Sequence, residues 1–307
     1  MFLRILHLSP LLEKQIQIDP FRSFFEKLRI VIEDIKIQHT VFALPFAVMS
    51  AFLAAEGMPA WDKLLWIFVA MFGARNAAMA FNRMADAQYD RMNPRTQERA
   101  LPSGRLSSRP YWFFLSLSTA LFVFAAFMLN RLAFYLSPVA LLIVFGYSFT
   151  KRFTAFSHLI LGLAISIAPV GAWVAIREEI SFISLLLGAA VVFWLAGFDI
   201  IYSCLDVESD RKNKLYSIPQ RFGVERALKM ALGSHFLMIL FLATLLISPL
   251  LGTAYLAGIL LVAGLLYYEH SLVSVDDLSK VNVAFFNVNG IISILLMSFV
   301  IVDCLWI

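Results

Sequence analysis

The sequence predicts an all-α, polytopic membrane protein with about nine transmembrane helices around a central cavity and a cytoplasmic N-terminus. Three observations carry this expectation. Of 307 residues, 61% are apolar and 15% charged, with a mean hydropathy of +0.80; a soluble domain is nearer half apolar and a quarter charged. Several apolar runs reach the ~20 residues that cross a bilayer as a helix. Those runs lack the period-2 alternation of strands, and backbone exposed to lipid must satisfy its own hydrogen bonds, which selects helices here.

The elements follow in chain order. Met1–Leu12 is apolar but short, without a convincing small-residue cleavage site, and is not read as a signal peptide. Residues 20–38 mix Arg22, Glu26, Lys27, Arg29, Glu33, Asp34 and Lys36 with Phe, Ile and Val. That pattern fits an amphipathic helix on the membrane surface, and equally a cytoplasmic extension of the first span. The chain is therefore divided into an N-terminal segment, 1–38, and a transmembrane domain, 39–307. Within the domain the apolar runs place spans at 39–56, 61–81, 111–129, 132–149, 157–176, 181–204, 226–247, 251–268 and 284–302. Cys204 and Cys304 each fall in or beside a span and read as packing residues, not a disulfide framework.

Charge fixes the expected orientation. With the N-terminus inside, four connections face the cytoplasm: 82–110, 150–156, 205–225 and 269–283. The first three carry Arg83, Arg91, Arg95, Arg99, Arg105, Arg109, Lys151, Arg152, Arg211, Lys212, Lys214 and Arg221, while Lys63, Arg131 and Arg177 lie on the other side. This is the asymmetry of the positive-inside rule. It accounts for the basic residues without a nucleic-acid partner.

Two acidic clusters stand out against this apolar background. Asn82-Arg83-Met84-Ala85-Asp86-Ala87-Gln88-Tyr89-Asp90 ends the second span, and Asp206-Val207-Glu208-Ser209-Asp210 follows the sixth. In each, two aspartates are four residues apart, so on a helix they share a face. Carboxylates beside hydrocarbon cost roughly 2.5–3.5 kcal/mol each at a helix centre and less near the interface. Aspartates at a helix C-terminus also face the negative end of the macrodipole. A cation between the two pairs resolves both problems, and Mg²⁺ with a phosphorylated substrate is the natural candidate, because Mg²⁺ prefers one or two carboxylates plus water and phosphate oxygens. The metal ligands expected are Asp86, Asp90, Asp206 and Asp210.

The same faces carry further polar residues. Arg75, Asn82, Asp86 and Asp90 form one stripe, with Arg75 about 10 Å deeper than Asn82 at 1.5 Å per residue. Asp199, Tyr202, Asp206 and Asp210 form the matching stripe on the sixth span. An intramembrane arginine marks function by default; Arg75 reads as a substrate contact, a partner of Asp199, or both. Arg99 and Lys151, each at the edge of a loop beside a cluster or span end, are the expected diphosphate contacts. The pairs Asp86/Asp90 and Asp206/Asp210 are 120 residues apart, and each is followed by a basic, proline-containing loop. This echo is compatible with a duplication that faces spans two and six across a cavity.

These residues resemble the UbiA superfamily of intramembrane prenyltransferases. Arg75, Asn82, Asp86 and Asp90 match its first signature, and Asp199, Tyr202, Asp206 and Asp210 its second. Asn93-Pro94-Arg95-Thr96 with Arg99, the stretch Tyr147 to Thr154, and Ser217 to Gly223 also resemble family segments; the likeness runs from about residue 36 to 300. One departure is Arg83, where many members have an aspartate. Arg83 cannot bind Mg²⁺ and is expected to meet phosphate, and the pattern is similar to a 4-hydroxybenzoate-polyprenyltransferase-like subgroup.

The resemblance implies a transferase of the inner membrane, its site facing the cytoplasm. Asp86/Asp90 and Asp206/Asp210 would hold Mg²⁺ on the diphosphate of a polyprenyl diphosphate, with Arg99 and Lys151 adding positive charge. Arg75 and Asn82 would hold an aromatic acceptor, and Tyr147 and Tyr202 would offer ring faces to an allylic cation. The expected acceptor is 4-hydroxybenzoate; 1,4-dihydroxy-6-naphthoate, of the futalosine route to menaquinone, is the alternative. A transporter is the alternative from another class, suggested by the echo, by Arg75 and Asp199, and by Pro169 and Pro249 as points where spans could break.

Overall fold

A computed structural model describes residues 20–35 and 43–306. The apolar opening Met1–Leu12 and the boundary at residue 38 lie outside the described residues. Within them the chain forms helices and turns and no strand. The helices are α1 (Pro20–Asp34), α2 (Leu44–Ala55), α3 (Trp61–Met92), α4 (Ser108–Leu129), α5 (Arg131–Gly146), α6 (Ser157–Arg177), α7 (Phe182–Ser203), α8 (Val207–Lys212), α9 (Ile218–Phe222), α10 (Val224–Thr244), α11 (Thr253–Ser271) and α12 (Asn289–Trp306).

Over the described residues each expected span overlaps a helix, the first of them from Leu44 on. Among the described residues, seven helical segments are long and apolar enough to cross a membrane: α3, α4, α5 with its continuation to Arg152, α6, α7 with its continuation to Lys212, α10 to Ile247, and Val283–Trp306 ending in α12. The protein is therefore an all-α, polytopic membrane protein. The expected spans at 39–56 and 251–268 coincide with α2, 12 residues long, and α11, which lie outside those seven.

Local chemistry explains the boundaries that matter for the site. Asp62 lies in the first turn of α3, where a negative charge meets the positive end of the dipole. Pro94 disfavours helical geometry at Asn93, and α3 stops at Met92. Asn130 caps α5 by accepting from Ala133 N at 2.8 Å, while its amide donates to the Val174 carbonyl of α6 at 2.7 Å. Ser181 and Ser184 form a reciprocal capping box at the start of α7. Pro169 lies inside α6 without breaking it, and Pro249 lies in the link between α10 and α11.

Close packing then assembles the bundle, with α3 along α4, α6 along α7, and α7 along α10. Two contacts depend on the lack of a side chain. A Cβ on Gly73 would lie 2.8 Å from Phe122 N of α4, and one on Gly162 would lie 2.5 Å from the Val192 carbonyl oxygen of α7. Small residues at such crossings let backbones approach where no hydrophobic force drives helices together. Helix α7 is the central element: Leu186, Leu187, Leu195, Ala196 and Ile200, which point to different sides of the helix, are all buried, as in a helix apolar all round. Helix α1 also packs on protein, burying Val31 and Ile35 against Ala77, Ala80, Leu106 and Tyr111.

Candidate active site

Helix α3 runs unbroken to Met92, so Asn82, Asp86 and Asp90 keep one face, and Asn82 Nδ2 donates to Asp86 Oδ2 at 2.7 Å. The second cluster departs from expectation. Helix α7 ends at Ser203, a 3₁₀ turn spans Cys204–Asp206, and α8 starts at Val207. Asp206 and Asp210 are thus not on one continuous α-helix. The tighter turn still brings both to the chamber that Asp86 and Asp90 line, a polar space of about 200 Å³ that also includes Asn82, Arg99, Tyr147, Lys151 and Asp199.

Each of the four carboxylates faces a basic side chain. Arg99 Nη1 lies 2.6 Å from Asp90 Oδ2. Lys151 Nζ lies 3.7 Å from Asp210, and Arg152 Nη2 3.8 Å from Asp86. Asp206 is held most closely: Arg95 donates from Nε to Oδ1 at 3.0 Å and from Nη2 to Oδ2 at 2.5 Å, and Asn93 Nδ2 adds a bond at 3.0 Å. This bidentate fork is the strong form of the interaction. Burial alone would weaken the protonation of Arg95, but its hydrogen bonds and attraction to Asp206 outweigh burial, and the guanidinium is held charged more firmly than usual. Arg95 Nη1 also donates to the Tyr202 hydroxyl at 2.7 Å, with its guanidinium 4.9 Å over the ring.

The donor set fits Mg²⁺. Four carboxylates from two segments converge on one space, and Asp210 Oδ2 is buried without a hydrogen-bond partner. Among the described residues no three His, Cys, Asp or Glu side chains stand close enough to hold an ion as a closed cage. An ion completed by water and phosphate oxygens suits that arrangement.

Behind the chamber lies an apolar cavity of about 720 Å³ between α3, α5, α6 and α7, with Arg75 in its wall. Tyr147, Leu161 and Asp199 line both spaces, so a charged chamber adjoins a hydrocarbon-like interior.

Several expected contacts are redistributed. Asp199, the expected partner of Arg75, instead takes His158, whose Nδ1 lies 2.6 Å from Oδ2; His158 is fully buried. Arg75 Nη2 donates to the Ile35 carbonyl at 3.2 Å, and Nη1 lies 3.5 Å from Asn76 Oδ1. Arg83 is not placed to meet phosphate: it is buried away from the chamber, its Nε and Nη2 donating to the Asp34 carbonyl at 3.2 and 3.1 Å. Tyr202 sits behind Arg95, with its ring 4.2 Å from that of Phe285. Sequence reasoning missed the pairing roles of Arg95, Asn93, Arg152 and His158. Their only local signal was a cation or amide in a loop at the right face, or a histidine at a span start.

Fold and site together define an intramembrane helical protein built for an amphiphile, with a charged chamber for an anionic head and an apolar cavity for a tail. The chain belongs to the UbiA prenyltransferase family, whose model matches residues 43–291, and it is an enzyme, a prenyltransferase. It is 32% identical over 249 residues to a 4-hydroxybenzoate octaprenyltransferase of Vibrio campbellii, covering 79% of this chain and 85% of the relative. It is 33% identical over 222 residues to the protein so named in Marinobacter nauticus, covering 72% and 75%. Among solved structures it resembles the apo structure of a UbiA homolog from Aeropyrum pernix K1, with a TM-score of 0.80, 33% identity, and coverage of 88% of this chain and 99% of that one. A UbiA homolog from Archaeoglobus fulgidus, solved with DMAPP and Mg²⁺, shares the fold at a TM-score of 0.67 and 22% identity over 91% of this chain and 99% of that one. Family membership replaces the transporter alternative, and the unbroken α6 agrees with that.

Proposed function

We propose that this enzyme transfers a polyprenyl group from a polyprenyl diphosphate to a small aromatic carboxylate, in the manner of the 4-hydroxybenzoate octaprenyltransferases it resembles. The observation that carries the reading is the junction at Tyr147 and Asp199, where the charged chamber adjoins the apolar cavity. An allylic C–O bond held there has its diphosphate among cations and its tail in hydrocarbon.

In this reading Asp86, Asp90, Asp206 and Asp210 hold Mg²⁺, which when bound neutralises charge that grows on the diphosphate as the C–O bond breaks. Arg99 and Lys151, already in the chamber, bind the diphosphate oxygens, joined by Arg95 and Arg152. Preorganised charges aimed at developing charge are the usual largest contribution to such a barrier. Tyr147 presents its ring at the junction, where an allylic cation gains from an aromatic face. Arg75 and Asn82 orient the acceptor, and Asp199, hydrogen-bonded to His158, contacts substrate beside them. The distribution of basic residues supports nine crossings, a cytoplasmic N-terminus and a site opening to the cytoplasm of a bacterial inner membrane. The N-terminal segment, 1–38, precedes the transmembrane domain in this scheme, with its helix α1 docked on α3 and α4.

The test is a transfer assay on membranes containing the protein, with Mg²⁺, a polyprenyl diphosphate, and 4-hydroxybenzoate or 1,4-dihydroxy-6-naphthoate in parallel. Prenylated 4-hydroxybenzoate is the expected product. Product from the naphthoate alone moves the enzyme to menaquinone synthesis, and product from neither, with folded protein, overturns the proposed acceptor class.

A further inference from the structure

We infer that Asp34 and Arg83 form a positioning lock that fixes the loop of residues 93–107, and with it Arg95 and Arg99, over the carboxylate chamber. The inference rests on the reading of those two arginines as diphosphate contacts.

Asp34 ends α1 and yet joins three other segments. Its backbone carbonyl accepts from Arg83 of α3 at 3.1 and 3.2 Å, and its Oδ2 lies 3.5 Å from Arg83 Nε. Its Oδ2 also accepts from the Tyr111 hydroxyl of α4 at 2.5 Å, and its Oδ1 accepts from Ala100 N at 3.2 Å. Ala100 directly follows Arg99, so this last bond reaches the loop within one residue of a chamber cation. Both ion-pair side chains are almost fully buried, 5% exposed for Arg83 and 8% for Asp34. Charges withdrawn that far from water are retained only when paired and hydrogen-bonded.

The arrangement also answers a question of backbone chemistry. The last carbonyls of a helix have no partner within it and carry the negative end of the dipole. Arg83 caps Asp34 O, and Arg75, in the wall of the apolar cavity, reaches Ile35 O. The loop has other ties: Arg91 Nε to Pro102 O at 3.2 Å, Thr96 Oγ1 to Asp90 O at 3.1 Å, and the buried Ala100 and Leu106. Among the described residues, the Asp34 bond is the hydrogen bond that ties the loop to α1, beside the apolar packing of Ala100 and Leu106 on Val31, Ile35 and Tyr111. Removing the Asp34 charge leaves the buried guanidinium its bonds to the Asp34 carbonyl but not its counter-charge, and loosens the hold on the Ala100 amide, while the four chamber aspartates stay in place. Asp34 and Arg83 act through Arg95 and Arg99 and touch no reactant, so they are positioning residues.

The experiment uses full-length protein in nanodiscs and two readouts. One is hydrogen exchange of the 93–107 amides; the other is calorimetric binding of geranylgeranyl diphosphate with Mg²⁺, beside the KM for the acceptor. In Asp34→Asn the loop amides exchange about tenfold faster and the diphosphate binds about tenfold more weakly, the scale of one hydrogen bond to a charged group. The acceptor KM stays within about twofold, and exchange in α6 and α7 is unchanged. Tyr111→Phe removes one hydroxyl only and carries the same test, at about threefold, if Asp34→Asn does not insert. Unchanged loop exchange and donor affinity in the inserted variants overturn the lock, as does loosening spread evenly over the chain. Failure of wild-type transfer, or unaltered donor binding in Arg95→Gln and Arg99→Gln, counts instead against the reading of the chamber, and the exchange data remain interpretable.

Discussion

Asp206 and Arg95 set the terms at the scale of single residues, because the ligand expected for a metal is also the acceptor of a two-pronged hydrogen bond. Two predictions belong to the chamber's carboxylates and to that competition. Asp86→Asn and Asp206→Asn, each removing a charge without changing shape, should lower single-turnover transfer by about 10²-fold or more while the protein still inserts and elutes as wild type. An Asp86→Asn enzyme with full turnover at limiting Mg²⁺ contradicts the metal assignment. Arg95→Gln should act with opposite signs on two ligands: calorimetry should show Mg²⁺ binding to the free enzyme tightened and prenyl diphosphate binding weakened, each by roughly three- to tenfold. A change of the same sign in both would mean that Arg95 does not compete for Asp206. The aspartates were legible in the sequence because four-residue spacing and the cost of charge beside hydrocarbon are local facts. Arg95 was not legible as their partner, since its carboxylate is 111 residues away and no period links a loop to a helix end. Arg83 was misread for a simpler reason. One residue beyond Asn82, it is turned about 100° around the helix at 3.6 residues per turn, which aims it at α1 rather than at the chamber.

The spans were legible as elements because each is a long apolar run, and over the described residues every one overlaps a helix. The break between α7 and α8 was not, because Cys204-Leu205-Asp206 has no Gly or Pro to mark it. A turn of 3₁₀ helix is visible only once the segment's contacts are known. The crossing of α6 and α7 was equally silent: Gly162 reads as one small residue in an apolar run, yet a Cβ there meets the Val192 backbone. Backbone cannot move aside as a side-chain tip can, so overpacking costs about 1–3 kcal/mol. Gly162→Ala should therefore lower the free energy of unfolding by that amount and, with it, the unfolding midpoint in detergent or denaturant. Gly171→Ala, on the same helix with open space at its Cβ, should leave the midpoint unchanged. Equal shifts in both variants would show that the midpoint tracks helix propensity and not the crossing.

The whole molecule is organised around a polarity gradient, from the charged chamber through Tyr147 and Asp199 into a cavity of about 720 Å³. Composition makes the membrane location readable, but a cavity is a property of how helices fail to touch, and no residue pattern states its depth. Its walls carry many small side chains, among them Ala74, Ala78, Ala140, Ala164, Ala168 and Gly171, so space was left where a tail would lie. Ala168 lies seven residues along α6 from Leu161 at the junction, about 10 Å at 1.5 Å per residue. A bulky ring placed there blocks the interior without entering the chamber. Ala168→Phe should thus raise KM for long polyprenyl diphosphates by about tenfold or more, the scale of losing a few buried methylenes at ~0.8 kcal/mol each, and leave dimethylallyl diphosphate within about twofold. Diphosphate release measured across a series of donor lengths reads this directly. If Ala168→Phe lowers turnover equally for all lengths, the tail does not occupy this cavity, and the space serves packing of the bundle instead.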